Sequence, residues 1–283
     1  MAIRSILVPL TGYEIENGAL VAGLRLARRL GAFTDALHVK PDPREAVPFV
    51  TEGAPASVIV NLMELAEREA EARANQARRI LEGACAKANV IASGVNAGAR
   101  YRTVVGRMED EVPLRARVTD LVLRVRIAEE HEVQWRLALE AALMESGRPI
   151  LLLPSVLDGW ASKTVAIAWN GGVEAARAAS AALPFLAQAE RILLLAGIKD
   201  APVEPSLDAV GEWLGHHGID VEQRQLMLQD WPVEERLVDE AAEAGADLLV
   251  MGGYGHSRMR ETIFGGATRA VLRESKLPVL MAH

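Results

Sequence analysis

One order of apolar segments occurs twice along this chain, and it limits the possible folds more than any other feature. Each copy has an apolar run ending in a polar residue and glycine, then an Asp-Leu pair opening a second run, then a proline-containing third run. The segments are 5–12, 120–123 and 147–153 in the first copy and 164–171, 247–250 and 276–281 in the second. Three landmarks repeated in the same order predict an internal duplication.

The apolar runs predict strands that are buried on both faces, because they are continuous and lie between turn signals. Helical patterns separate them, as at 16–30 and 173–187, and this alternation requires parallel strands joined by crossover helices. We therefore predict an α/β fold with a doubly wound parallel sheet in each copy. The predicted strands are 4–10, 34–39, 99–105, 120–125, 149–154, 163–169, 190–196, 220–227, 246–252 and 277–282.

Length and composition agree with two domains and exclude several protein classes. The chain has 283 residues, enough for two domains of about 150 residues, which we place at 1–154 and 163–283. The net charge of −7 gives no general attraction to nucleic acid or anionic lipid, and no apolar run reaches the roughly 18 residues of a membrane span. We expect no nucleic-acid or membrane partner and a cytoplasmic location.

Four individual interpretations can be tested against a structure. The single cysteine, Cys85, lies in a helical pattern and is expected to be a buried structural thiol. His38 is expected to be a core or rim histidine, and Glu240 to lie on a solvated helix face. The long helix of the first copy should bury one apolar stripe. The residues of this stripe are Leu62, Ala66, Ala70, Ala74, Ala77 and Leu81.

The segment that carries chemistry is the glycine-rich stretch 251–272, which starts at the carboxyl end of the fourth strand of the second copy and ends by opening its last helix. Glycine lets the backbone approach a ligand closely, and free amide N–H groups at a helix start attract anions. Gly265-Gly266-Ala267-Thr268 would direct such amides and one hydroxyl at a phosphate. The loop could instead be only a tight strand-to-helix connection, and it matches neither the P-loop nor the dinucleotide fingerprint.

The spacing G-x2-G-x9-G, formed by Gly252, Gly255 and Gly265, resembles that of the universal stress protein family, and the order of elements resembles its tandem two-domain form. The resemblance covers essentially the whole chain. Gly266 departs from the family pattern, which has a serine or threonine position there, whereas Ala267 and Thr268 match the two positions that follow. The first copy has no such loop and is expected to be a scaffold or to bind something else.

The resemblance implies an adenine-nucleotide site in the second copy, for ATP, ADP or AMP, with or without Mg²⁺. In the family an acidic residue after the first strand faces the base, and Asn170 stands at that position here; an amide can still bond a base edge. The resemblance also implies domains related by a pseudo-twofold axis, with 149–154 and 277–282 as contact edges, and a homodimer of the tandem chain. The remaining residues expected around the nucleotide are Ala168, Trp169, Ala196, Gly197, Met251 and Gly252.

Three functions remain open on the sequence. The resemblance implies a nucleotide-binding protein with a regulatory or protective role under stress and at most slow ATP hydrolysis. An interaction module of the same fold without nucleotide is the alternative, favoured by the departures at Asn170 and Gly266. An ATP-using enzyme is the third, since fold does not fix function, although no catalytic constellation or metal-ligand cluster is visible in the sequence.

Overall fold

The computed structural model of the chain describes residues 2–44, 55–92, 98–126, 132–157, 160–198, 203–227, 233–253 and 275–283. The chain divides into two compact units. The N-terminal unit is Arg4–Ser146, and the C-terminal unit is Gly147–His283 together with Met1–Ile3. The domain limits 1–154 and 163–283, the twofold relation and the homodimer stay predictions.

The N-terminal unit is a parallel sheet with helices between its strands. Its sheet order is β3-β2-β1-β4, and each strand is parallel to its neighbour. In chain order, its elements are β1 (Ser5–Leu10), α1 (Glu16–Leu30), β2 (Phe33–Lys40), α2 (Ala56–Ala88), β3 (Ala99–Val105), α3 (Met108–Ala116), β4 (Leu121–Val125) and α4 (Glu132–Glu145).

The C-terminal unit repeats this plan and has two further strands, which are antiparallel to each other. Its sheet order is β5-β10-β9-β6-β7-β8, in which β5 is antiparallel to β10 and the other neighbours are parallel. In chain order, its elements are β5 (Ile150–Leu153), β6 (Thr164–Ala168), α5 (Val173–Leu186), β7 (Arg191–Ile198), α6 (Leu207–Gly215), β8 (Glu222–Met227), α7 (Val233–Glu243), β9 (Leu248–Gly252) and β10 (Val279–Ala282). The predicted contact between the strands at 149–154 and 277–282 is confirmed.

The continuous apolar runs become the buried central strands, as predicted. Every residue of β4, β5 and β10 is buried, because helices cover both faces of a parallel sheet. All ten predicted strands are present, within one or two residues at their ends. Among the described residues, no helix is both long enough and apolar enough to cross a membrane.

The duplication extends to a hydrogen-bond motif at the amino ends of the strands. The Asp120 carboxylate accepts from the backbone N–H groups of Arg4 and Ser5, at 2.8 and 2.9 Å. The Asp247 carboxylate accepts in the same way from Lys163 and Thr164, at 2.9 Å each. In both units, therefore, the aspartate that precedes one central strand accepts hydrogen bonds from backbone N–H groups at the start of the neighbouring strand.

The long helix α2 is buried along only part of its predicted stripe. Ala74, Ala77 and Leu81 are buried, as expected. Leu62 is 40% exposed, and Ala66 and Ala70 are half-buried. Since the helix has 33 residues, roughly 50 Å at 1.5 Å per residue, its apolar periodicity continues beyond the part whose residues are buried. The predicted burial of Leu62 is wrong.

Three single-residue predictions have clear outcomes. Cys85 is buried, and burial raises the pKa of its thiol to about 11, so it is a structural thiol. His38 is a core histidine whose Nδ1 lies 2.9 Å from the Leu10 carbonyl oxygen. The expected solvation of Glu240 is wrong. Its side chain is 12% exposed and accepts from Arg224 and Arg236 at 2.7 and 3.0 Å, because cations from β8 and α7 meet it.

Candidate functional site

The candidate site lies where the strand order of the C-terminal unit reverses. From β6 the chain runs to β7 on one side, and it returns to β9 on the other side. In open α/β sheets the crevice at such a switch point, beyond the carboxyl ends of the strands, is the usual ligand site. The register pairs Ala168 of β6 with Met251 of β9, so two of the predicted site residues are neighbours at this point.

Gly252 ends β9 and lies directly against the first turn of α5. A Cβ atom at this position would stand 2.7 Å from the Ala175 nitrogen and 3.0 Å from the Glu174 carbonyl carbon. Both are backbone atoms that cannot yield without moving the helix. Packing between strand and helix therefore requires glycine here, independently of any ligand.

Trp169 and Gly171 fix the turn that follows β6. The Trp169 side chain is buried, and its indole N–H donates to the Pro205 carbonyl oxygen at 2.7 Å. Gly171 has φ +76°, and a Cβ there would stand 2.1 Å from the Glu204 carbonyl oxygen. The segment before α6 thus packs against the turn after β6. The hydrogen bond to the Pro205 carbonyl oxygen fixes the position of the Trp169 side chain beside the candidate site.

Asn170 is the exposed polar side chain of this turn. Its Oδ1 accepts from the Gly172 N–H at 2.9 Å, and Gly172 is the N-cap residue of α5. The side chain therefore closes a local turn at the helix start, a common use of asparagine. Its other end, the amide NH₂ group, points away from this bond.

The remaining predicted positions divide into two groups. Ala196 and Gly197 lie on β7, Ala196 buried and Gly197 half-buried. Leu195 of the same strand is the residue of β7 that pairs with Ala168. The glycine loop residues lie outside the described residues, and their part in the site stays a prediction. These residues are Gly255, Gly265, Gly266, Ala267 and Thr268.

Within the described ranges, no group of three histidine, cysteine or acidic side chains is placed to hold a metal ion.

The N-terminal unit fills the corresponding place with its own carboxylate. If Thr11-Gly12 is aligned with Asn170-Gly171, Glu16 falls opposite Ala175. The Glu16 carboxylate accepts from the N–H and hydroxyl of Thr11, at 3.0 and 2.9 Å, and from the Gly12 N–H at 3.2 Å. Glu16 is 2% exposed, and this burial raises its pKa although the hydrogen bonds act in the opposite direction.

A buried arginine of the N-terminal unit likewise stands where the C-terminal unit has an uncharged residue. The Asp120 and Asp247 motifs align Arg124 of β4 with Met251 of β9. The Arg124 side chain is 1% exposed, its Nη2 donates to the Trp135 carbonyl oxygen at 3.2 Å, and its guanidinium lies 5.5 Å from the centre of the Trp135 ring. Burial lowers its pKa to about 10, and the negative charge of Glu16 raises it in part.

The sequence interpretation missed both groups, because a charged side chain near a strand end is normally read as exposed. The available signal was Arg124 inside an otherwise apolar run. At the carboxyl ends of the central strands, the N-terminal unit thus has the charged side chains of Glu16 and Arg124. The C-terminal unit has Ala175 and Met251 at the corresponding positions.

Comparison with known proteins also distinguishes the C-terminal unit from the N-terminal unit. The model of the family described as "Universal stress protein family" matches residues 161–283. Universal stress protein Slr1230 from Synechocystis sp. is 45% identical over 47 residues, a segment that is 17% of this chain and spans only 16% of that relative's length.

Solved structures show that the fold extends over the whole chain. A universal stress protein from Archaeoglobus fulgidus superposes with a TM-score of 0.70 at 16% identity, over 98% of this chain and 95% of that one. A functionally unknown protein from Pseudomonas aeruginosa PAO1 superposes with a TM-score of 0.58 at 14% identity, over 99% and 92%. Residues 161–283 therefore match the universal stress protein family, and the whole chain has the fold of these solved structures.

Proposed function

We propose that the C-terminal domain, 163–283, binds an adenine nucleotide, ATP, ADP or AMP, and that the protein has a regulatory or protective role in the stress response. The observation that carries the proposal is the contrast at the switch point. The N-terminal unit satisfies Thr11 and Gly12 with its own Glu16, whereas Ala175 offers no side-chain acceptor at the corresponding place. We propose that an acceptor group of a bound ligand takes the place that Glu16 fills in the N-terminal unit.

The proposed binding mode uses backbone groups more than side chains. Amide N–H groups of Gly265 through Thr268, at the start of the final helix, would receive the phosphate oxygens, as at other helix N-termini. Ala168 and Met251, paired across β6 and β9, would lie beneath the nucleoside. In the bound state Mg²⁺ would offset the charge of a triphosphate. The N-terminal unit would be a scaffold.

An interaction module without nucleotide is the second candidate, and two observations favour it. The Trp169 indole is already bonded to Pro205, and Gly252 is required by packing against Ala175. Neither feature needs a ligand. We infer slow, incidental ATP hydrolysis at most, and the cytoplasmic location stays a prediction.

Mass spectrometry of the protein purified without added nucleotide distinguishes these candidates. We expect co-purified ATP, ADP or AMP at up to one per chain, because the N-terminal unit already supplies its own acceptor, Glu16, at the corresponding place. Nucleotide can be lost during purification, so protein stripped on an ion-exchange column is also titrated with ATP and Mg²⁺ by calorimetry. Absence of nucleotide in the spectrum together with absence of heat in the titration would favour the interaction module.

A further inference from the structure

The imidazole of His38 is buried on β2, with one ring nitrogen bonded and the other without a partner. The residue is 2% exposed. Its Nδ1 lies 2.9 Å from the Leu10 carbonyl oxygen, and because that oxygen can only accept, Nδ1 carries the proton. Nε2 is also buried and has no hydrogen-bond partner among the described residues. A second proton, on Nε2, would therefore form a buried N–H group without an acceptor, which is costly.

The charges near the ring also oppose a second proton. Lys40, on the same strand, and Arg73, on α2, are cations, whereas Glu71 of α2 is an anion. The Glu71 carboxylate already accepts from the Lys40 ammonium group at 2.9 Å. In the register of the sheet, His38 is paired with Thr103 of β3, which carries no charge. A charged imidazole would thus stand beside two cations, and the nearby carboxylate is already paired.

Two further titratable side chains belong to the elements packed around the ring. Tyr101 of β3 donates its hydroxyl to the Ala74 carbonyl oxygen at 2.6 Å, and burial raises its pKa to about 12, so it stays uncharged in acid. The Glu16 carboxylate of α1 accepts from backbone N–H groups of the turn after β1. Its hydrogen bonds are therefore already made with that turn.

The middle of α2 closes over the turn that follows β1, next to the ring. A Cβ atom at Gly12 would stand 2.7 Å from the Arg73 carbonyl oxygen, and the Arg73 guanidinium lies 4.7 Å from the centre of the Tyr13 ring. The Gln76 amide donates to the Glu14 carboxylate at 3.2 Å. Since this packing encloses the ring, water can reach Nε2 only if α2 moves away from the turn and from β2.

We infer that His38 makes the packing of α2 on β2 sensitive to acid: uptake of a proton at Nε2 separates the middle of α2 from the sheet, because only then can the charged ring be hydrated. In the regulatory role proposed above, proton concentration would be the signal that the N-terminal unit detects. The inference does not depend on the nucleotide site of the C-terminal unit, and its failure would leave that site untouched.

The direction of the pH dependence follows from the pKa of His38. Burial lowers this pKa, and the positive charges of Arg73 and Lys40 lower it further. The bond to Leu10 and the charge of Glu71 act in the opposite direction without cancelling the effect. A hydrated histidine takes up its proton near pH 6.5, at about its ordinary pKa, so below this pH the open form binds more protons than the closed form. The closed form is therefore fully stable above about pH 6.5 and loses stability as the pH falls below it.

Glu16 titrates with the opposite sign. Burial raises its pKa, although its hydrogen bonds act against this. The closed unit therefore gains protons at Glu16 more readily than the open one, which favours the closed form as the pH falls. Variants of His38 that are compared with wild type at the same pH keep this contribution in both proteins, so it cancels.

Hydrogen exchange, followed by mass spectrometry on peptides from residues 71–88, tests the inference. Wild type is compared with His38→Asn at about pH 7.5 and about pH 5.5. The asparagine amide keeps a donor for the Leu10 carbonyl oxygen but has no proton to gain. Comparison at the same pH also cancels the intrinsic exchange rate of the amides. We expect the ratio of the wild-type rate to the variant rate to rise about fivefold to tenfold between the higher and the lower pH.

His216→Asn is the matched control, because His216 is an exposed histidine of the C-terminal unit and its replacement should leave the exchange of α2 as in wild type at both pH values. An unchanged ratio for His38→Asn would overturn the inference. An equal rise in peptides from β4 would show that the whole unit unfolds, and it would overturn the local opening.

A titration of the wild-type imidazole by NMR keeps the inference testable if His38→Asn does not fold. We expect the His38 ring to remain mostly neutral at about pH 6, below the ordinary pKa of histidine. A His38 ring that is mostly charged at this pH while the unit stays folded would overturn the inference, because the closed form would then tolerate the proton.

Discussion

Gly171→Ala should lower the free energy of unfolding of the C-terminal unit by about 4 kcal/mol. The backbone has φ +76° there, which an L-residue adopts at a cost. The added Cβ would also stand 2.1 Å from the Glu204 carbonyl oxygen. That oxygen belongs to the backbone next to Pro205, which binds the Trp169 indole. The substitution must therefore displace the segment that covers the end of β6. Urea unfolding followed by tryptophan fluorescence measures the loss.

Gly245→Ala is the matched control for this prediction. Gly245 lies in the same unit and has nearly the same backbone angle, φ +75°, but a Cβ atom added there would meet no other atom within 4 Å. Alanine at this position therefore carries only the conformational cost, about 1 kcal/mol. Equal losses of unfolding free energy in the two variants would mean that the close approach to the Glu204 carbonyl oxygen does not affect stability. That result would contradict the conclusion that this packing fixes the turn after β6.

Glu16→Ala should destabilise the N-terminal unit by about 3 kcal/mol. The substitution leaves three donors at the end of β1 without their acceptor, namely the N–H and hydroxyl of Thr11 and the N–H of Gly12. Gly12 is buried, and a buried donor without an acceptor costs more than the bond itself contributes. The loss of the carboxylate also removes the nearby negative charge from the buried Arg124.

Glu16→Gln separates hydrogen bonding from charge. The glutamine amide keeps one oxygen acceptor at this place, so we expect a loss of about 1 kcal/mol. Urea unfolding of both variants gives the comparison. Equal losses for alanine and glutamine would indicate that the charge near Arg124, and not the capping of Thr11 and Gly12, gives Glu16 its effect.

The fold was predictable because the signals for buried strands and repeated landmarks are local. A run such as Leu248–Gly252 has no polar face, and it can lie only in the middle of a covered sheet. Burial along α2 was less predictable, since periodicity shows which face of a helix is apolar but not how far the neighbouring elements extend. For this reason Leu62 is exposed although it continues the stripe of Ala74 and Ala77. The burial of Glu240 was equally hard to predict, because one of its two arginine partners comes from a different element of the fold.

The site was predictable where a strand end defines it and unpredictable where distant segments meet. Ala168 and Met251 are neighbours as a direct consequence of the strand register. The partners of Trp169 and Gly171 come from the segment before α6, more than thirty residues along the chain, and no local pattern indicates them. The burial of Glu16 and Arg124 depends likewise on tertiary packing.

Calorimetric titration of Mg²⁺ and ATP into wild-type and Gly265→Val protein tests the central claim most directly. If backbone amides at the start of the final helix bind the phosphates, the wild type should bind one nucleotide per chain. The valine variant, with a side chain where the phosphates must approach, should bind about a hundredfold more weakly or not at all. Gly83→Val, placed in α2 with open space around it, should bind as the wild type does. Unchanged affinity in Gly265→Val would contradict the claim.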